Sequence, residues 1–253
     1  MIDKGIGPAL VLVPGLPGPW QFARPAVDAL AEHFRVLTLS LGPECTLDAD
    51  VARIAAALDE RGIERAIVCG ISFGGLVALR FAATHPQRTS SLVLASTPGP
   101  GATLRPHHRL YARWPHLFGP VFAVETPFRL RRELRWSQLT ALVAAPTSFT
   151  KIARRAQLIE LTDISADCRR VAAPTLVVTG EPRLDRVVPV GNTLEYLRAI
   201  SGSQHVTLEA TGHLGSITRA GRFAEMVSVF VERAFQARGG GGPERAARRT
   251  GVA

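Results

Sequence analysis

The amino-acid sequence predicts an α/β fold: a mostly parallel sheet of about six strands, helices on both faces, and one helical insertion. Three observations predict it. Six short runs rich in β-branched residues and leucine recur along the chain, stretches of helical period lie between most of them, and the alternation breaks once, over 98–165, before it resumes. Strand alternating with helix is the pattern of a parallel sheet covered on both sides, because each parallel connection must cross back over the sheet.

The runs are ALVLVPG (9–15), FRVLTLSL (34–41), RAIVCGIS (65–72), TSSLVLAST (89–97), PTLVVTG (174–180) and QHVTLEA (204–210). Helical period covers 22–33, 48–61, 74–84, 190–200 and 216–236. Residues 98–165 are instead rich in proline, arginine and aromatics, with helical pieces at 124–143 and 148–162. The chain thus divides into a core of 1–97 and 166–237, a helical lid of 98–165, and a disordered basic tail of 238–253. An insertion at the carboxyl edge of a parallel sheet lies where ligands bind in such folds.

A chain of 253 residues can bury a large single core. With 46% hydrophobic and 20% charged residues it reads as globular, and no apolar run approaches the ~20 residues of a membrane helix. The opening MIDKGIGPALVLVPG has an apolar stretch too short for a secretory signal, so the expected location is the cytoplasm. Cys45, Cys69 and Cys168 are an odd number without metal-ligand spacing, which fits reduced thiols. The net charge of +9 suggests nucleic acid or acidic membranes until its location is counted. Residues 98–165 hold ten basic and four acidic side chains, residues 238–253 hold four and one, and the rest balance. No base-stacking motif accompanies either excess, and neither a nucleic-acid nor a membrane partner is expected.

The chemistry begins at Gly70-x-Ser72-x-Gly74-Gly75, between a predicted strand and a predicted helix. In a sharp strand–turn–helix the serine takes a strained backbone conformation and projects its hydroxyl from the top of the sheet. Residues on either side crowd each other, so a Cβ there would clash. The turn also aims the N–H of Phe73 at the reacting carbon, at the positive end of the following helix. A serine hydroxyl needs a base. Of seven histidines, only His213, in GHLGS after the last strand, sits at the same edge; His205 begins that strand and reads as structural. A carboxylate must orient the histidine. Glu181 and Asp185 both follow the strand PTLVVTG, with Asp185 favoured because an apolar step into the next helix follows it. In VPGLPGPW, prolines at 17 and 19 leave Leu16 as the candidate second oxyanion donor.

These residues resemble the α/β-hydrolase superfamily, and within it the small bacterial esterase, lactonase and carbon–carbon-bond hydrolase branch. The likeness spans 9–236 and rests on GISFGG, the order Ser72, Asp185, His213, the turn after the first strand, and PTLVVTG followed by GH. Three departures stand out. Pro14-Gly15 replaces the family's frequent His-Gly; Asp185 lies five residues after Gly180 rather than three; and the family's first two antiparallel strands have almost no room before Ala9. Serine at the elbow separates the chain from relatives that use aspartate there.

The resemblance implies acyl-enzyme chemistry on a small carboxylic ester, lactone or thioester, with Ser72 as nucleophile, His213 as base, Asp185 as its orienter, Leu16 and Phe73 as oxyanion donors, and no metal or organic cofactor. Carbon–carbon cleavage of a diketone-like substrate and non-catalytic ligand binding on the same fold are the alternatives. The lid holds Tyr111, Trp114, Phe118, Phe122, Phe128, Trp136 and Phe149, expected mostly to seat it on the sheet and in part to line an apolar pocket. Its arginines, including Arg129, Arg131, Arg132, Arg135, Arg154 and Arg155, read as a solvated face, although one turned inward can clamp a substrate carboxylate.

Overall fold

The structure is a computed structural model that describes residues 1–104, 106–114 and 148–239. Strands form at all six expected runs: β2 (Ala9–Val13), β3 (Arg35–Thr38), β4 (Ala66–Ile71), β5 (Thr89–Ala95), β6 (Thr175–Thr179) and β7 (Gln204–Thr207). A seventh, β1 (Ile2–Lys4), pairs antiparallel with β3, from Ile2 opposite Thr38 to Lys4 opposite Val36. The sheet therefore has seven strands in the order β1-β3-β2-β4-β5-β6-β7, the six expected ones and one added edge strand. Three residues carry no readable period, which hid β1. Gly5 and Gly7, both at positive φ, turn the chain within the short gap before Ala9.

The strand faces alternate as a parallel sheet buried on both sides requires. Val11, Val68, Leu92, Leu94 and Val177 point to one face, where they meet α2 (Leu47–Asp59), α3 (Phe73–Thr84), α6 (Ser165–Arg170) and α8 (Tyr196–Ala199). Leu10, Leu12, Ile67, Cys69, Val93 and Val178 point to the other, against α1 (Arg24–Leu30) and α10 (Ala220–Gly239), which follows the short α9 (Gly215–Thr218). The period expected at 190–200 resolves into two short helices, α7 (Val190–Thr193) and α8. No helix of the described residues is long and apolar enough to cross a membrane.

From β2 the chain first runs outward to β3, then crosses back to β4 on the other side of β2. The carboxyl ends of β2 and β4 therefore flank the point where the strand order reverses, the crevice in which open α/β sheets bind ligands. The VPGLPG turn and Ser72 leave those two ends.

Between β5 and β6, the described parts of the insertion are α4 (Pro106–Arg113) and α5 (Phe149–Leu161). They pack on each other through Ala112, Ala153 and Ala156, with Leu16 and Leu104 against that small cluster. Small side chains, not aromatics, make this contact between the two described helices. Trp114 is exposed, and Tyr111 and Phe149 are half-buried outside both main cores. Phe118, Phe122, Phe128, Trp136, Arg129, Arg131, Arg132, Arg135, the helical piece at 124–143 and most of the tail at 238–253 lie outside the described residues.

The tightest constraint in the core sits at Gly75. A Cβ there would overlap the Thr97 side chain. Gly75→Ala is expected to cost about 1–3 kcal/mol through overpacking, lowering Tm by roughly 2–4 °C per kcal/mol in a chain of this size. Adding Thr97→Ala, which removes both the hydroxyl and the methyl that the new Cβ would strike, should return part of that loss in the same thermal melt.

Candidate active site

Ser72 stands between β4 and α3 with φ +54 and ψ −123. This is a sparsely populated region for a non-glycine residue, at a cost of roughly 1–3 kcal/mol. The surroundings enforce it. The Ser72 N–H donates to the Ala95 carbonyl at 2.8 Å, and the Ser72 carbonyl accepts from Gly75 N–H at 2.9 Å. A Cβ on Gly70 would fall into the backbone of Gly74 and Gly75, and one on Gly74 into the carbonyls of Val13 and Pro14 at the end of β2. The glycines thus let the elbow close on itself and let it press against the neighbouring strand.

His213 lies in the loop after β7, and its Nε2 is 3.0 Å from Ser72 Oγ. Its Nδ1 is 3.2 Å from Asp185 Oδ2. The other Asp185 oxygen accepts from the N–H groups of Val187 at 2.9 Å and Val188 at 3.0 Å, so the carboxylate is held by its own turn while it faces the imidazole. Burial works to raise this carboxyl; the hydrogen bond and charge of His213 and the two amides outweigh burial and hold it below the ordinary carboxylate value. Of the two acids left open by the sequence, Asp185 reaches His213. Glu181 instead accepts from Ala210 N–H at 2.6 Å, bracing the loop that carries His213. The longer loop after Gly180 accounts for the shifted acid: Leu184 and Asp185 both donate from their backbone N–H to the Glu181 carbonyl, a turn that brings residue 185 back over the sheet.

The VPGLPG turn sits beside the elbow. A Cβ on Gly15 would lie 3.5 Å from Ser72 Cβ and 3.4 Å from the Ile71 carbonyl. Two backbone donors of the turn, Gly15 N–H and Leu16 N–H, have no acceptor among the described residues, and the carbonyls from Gly15 to Gly18 are engaged. Gly18 N–H closes the turn onto the Gly15 carbonyl at 3.0 Å, and Leu41 N–H reaches the Gly18 carbonyl at 2.9 Å. Pro17 and Pro19 have no N–H. Leu16 N–H makes no hydrogen bond to another described residue. Phe73 N–H belongs to the first turn of α3, whose amides have no intrahelical acceptor.

Arg155 corrects an expectation. Arg154 is solvated as expected, but Arg155, on α5, is 2% exposed. It turns inward without becoming a free carboxylate clamp. Its Nη1 donates to the carbonyls of Leu16 at 3.3 Å and Pro17 at 3.2 Å, and its Nη2 to those of Leu41 at 3.4 Å and Gly42 at 2.9 Å. Nothing in the local sequence separates it from Arg154; its place on the buried stripe of α5 beside Ala153 and Ala156 is the one available signal.

His205, His85 and the cysteines have structural surroundings. His205 Nε2 is 2.9 Å from Thr179 Oγ1, with burial lowering its pKa. His85 stacks on Phe81 with ring centroids 4.7 Å apart. All three cysteines are free and buried; burial pushes the Cys69 thiol far up and the Cys168 thiol up to about 12, so neither supplies a thiolate.

The chain matches the model of the alpha/beta hydrolase family over residues 10–226. It is 28% identical over 268 residues to a 2-hydroxy-6-oxononadienedioate/2-hydroxy-6-oxononatrienedioate hydrolase of Cupriavidus pinatubonensis (strain JMP 134 / LMG 1197), covering 90% of this chain and 89% of that one. It is 27% identical over 250 residues to a pimeloyl-[acyl-carrier protein] methyl ester esterase of Xanthomonas campestris pv. campestris (strain B100), covering 90% and 96%. The enol-lactonase structure from Burkholderia xenovorans LB400 superposes with a TM-score of 0.74 at 23% identity, covering 91% and 95% of the two chains, and so shares the fold. The strand order, the strained elbow between β4 and α3, and a family match over most of the chain lead to one conclusion: the protein belongs to the alpha/beta hydrolase family.

Proposed function

We propose that the protein is a serine hydrolase that cleaves a small carboxylic ester, lactone or thioester through an acyl-enzyme intermediate. The observation that carries this reading is the continuous hydrogen-bonded line from Ser72 Oγ through His213 to Asp185, at 3.0 and 3.2 Å. His213 Nε2 takes the hydroxyl proton as Oγ attacks the carbonyl carbon, and Asp185 stabilises the imidazolium that forms. The N–H groups of Leu16 and Phe73 receive the oxyanion. Collapse breaks the bond to the leaving group, which takes its proton from His213. Water then attacks the acyl-enzyme with His213 as base, releasing the acid and restoring Ser72.

Likeness to the Xanthomonas methyl ester esterase supports ester cleavage. Likeness to the Cupriavidus hydrolase favours a second reading, carbon–carbon cleavage of a diketone-like substrate. Products distinguish them: an ester releases an alcohol, whereas the second reading leaves a ketone or aldehyde fragment.

With short p-nitrophenyl esters, Ser72→Ala and His213→Ala are each expected to lower kcat on the order of 10⁵-fold or more, and Asp185→Asn about 10⁴-fold. Steady-state kinetics of the folded variants checks this, and wild-type rates in Ser72→Ala would sink the assignment. Asp185 also predicts a pH-dependent stability. Its folded pKa is depressed, so its stabilisation is present above the unfolded value of about 3.9 and is lost as pH falls through the folded value. In denaturant melts the stability gap between wild type and Asp185→Asn should be constant near neutrality and shrink below about pH 4.

A further inference from the structure

We infer that Arg155 is a positioning residue for the oxyanion site: by gripping the carbonyls on the far side of the VPGLPG turn, it sets the direction of the Leu16 N–H, so that the seating of α5 is coupled to transition-state stabilisation. This rests on the serine-hydrolase reading proposed above.

The argument is geometric. Leu16 is held from two sides. On one, Gly15 packs against Ser72 Cβ and the Ile71 carbonyl. On the other, Arg155 Nη1 takes the carbonyls of Leu16 and Pro17. The ring of Pro17 fixes φ between those two carbonyls, so holding both fixes the peptide planes that follow Leu16. The guanidinium occupies the space beside Gly18, whose φ is +98, and a Cβ at that position would strike Nη1. No other residue type leaves that space and tolerates that φ at low cost.

The second arm of the fork ties the turn to a different loop. Nη2 donates to Gly42 at 2.9 Å, and the Gly42 N–H donates to the buried Asp50 at 2.6 Å. The Gly42 residue is thus clasped between a buried cation and a buried carboxyl group. Burial raises the Asp50 carboxyl, and the Gly42 N–H and the charges of Arg155 and Arg53 work against that without cancelling it. A planar fork can hold carbonyls from two loops at once; the lysine ammonium is a point donor and cannot span them. The arginine comes from the insertion, 138 residues or more from the carbonyls it holds on the β2 side. Any shift of α5 therefore reaches Leu16 through two hydrogen bonds. A donor displaced by about 1 Å can cost on the order of 10²-fold in rate.

The test is phosphonylation of the full chain by a fluorophosphonate, in which Ser72 Oγ bonds to phosphorus, fluoride leaves, the proton passes to His213, and the phosphoryl oxygen occupies the oxyanion site. Wild type, Ser72→Ala, Arg155→Lys and Arg155→Met are compared by intact mass, with the maximal labelling rate and the half-saturating reagent concentration measured separately. Melting curves accompany each. The expected result is a maximal rate lowered about 10- to 100-fold in Arg155→Met, less in Arg155→Lys, with half-saturation unchanged. Should Arg155→Met fail to fold, Arg155→Lys carries the comparison. A variant that labels at the wild-type rate, or that merely shows a smaller reactive fraction at the wild-type rate, overturns the inference and leaves the serine reading intact. A folded wild type that is not labelled, or is labelled equally after Ser72→Ala, overturns the serine reading and this inference with it.

Discussion

The left-handed backbone of Ser72 is the constraint on which the rest of the site depends. A strand that continued in its ordinary conformation would point its side chain into one of the two covered faces of the sheet. At φ +54 the chain reverses within one residue into α3, and the hydroxyl stands clear at the carboxyl edge. That conformation persists only because its neighbours over-determine it. The Ala95 carbonyl holds the N–H, the Gly75 N–H holds the carbonyl, and Gly70 and Gly74 have no side chain to push the turn away from itself or from β2. The same absence of side chains brings the end of β2 against the elbow. The VPGLPG turn that leaves β2 is thereby set beside Ser72.

The other proposed catalytic groups arrive from loops whose anchors are largely main-chain. Asp185 is fixed by the amides of Val187 and Val188 before it meets His213. Glu181, passed over as the orienting acid, bonds to Ala210 and so joins the loop after β6 to the loop after β7. The two loops that carry Asp185 and His213 are thus fastened together away from Ser72. Such anchoring holds the 3.0 and 3.2 Å contacts among Ser72, His213 and Asp185 in register.

Among the described residues, the insertion meets the site where its alanine cluster packs on Leu16 and where Arg155 reaches the turn. Ala112, Ala153 and Ala156 bring α4 and α5 together over Leu16, and Arg155 reaches past them to the turn. Burying an arginine leaves a charge to be compensated. Here the compensation is four carbonyl dipoles with Asp50 one peptide away. Asp50 Oδ2 and Arg155 Nε have no partner among the described residues. The network is thus strong where it grips the turn and incomplete where it does not.

The six parallel strands were legible in the sequence because each buried strand needs a run of apolar residues. The elbow was legible because only glycine can occupy its crowded positions. The order of serine, acid and histidine, with the acid one of Glu181 and Asp185, followed from where each residue falls relative to a strand end. What the sequence by itself determined was therefore whatever is decided locally, by period, by steric tolerance and by position along the chain. Only the tertiary structure decided the rest: that Asp185 and not Glu181 meets His213, that three residues at the start form an antiparallel edge, and that Arg155 is buried while Arg154 is solvated. Each of those depends on contacts between segments far apart in the chain. A charged side chain reads alike in sequence whether it ends in water or against carbonyls contributed by other loops.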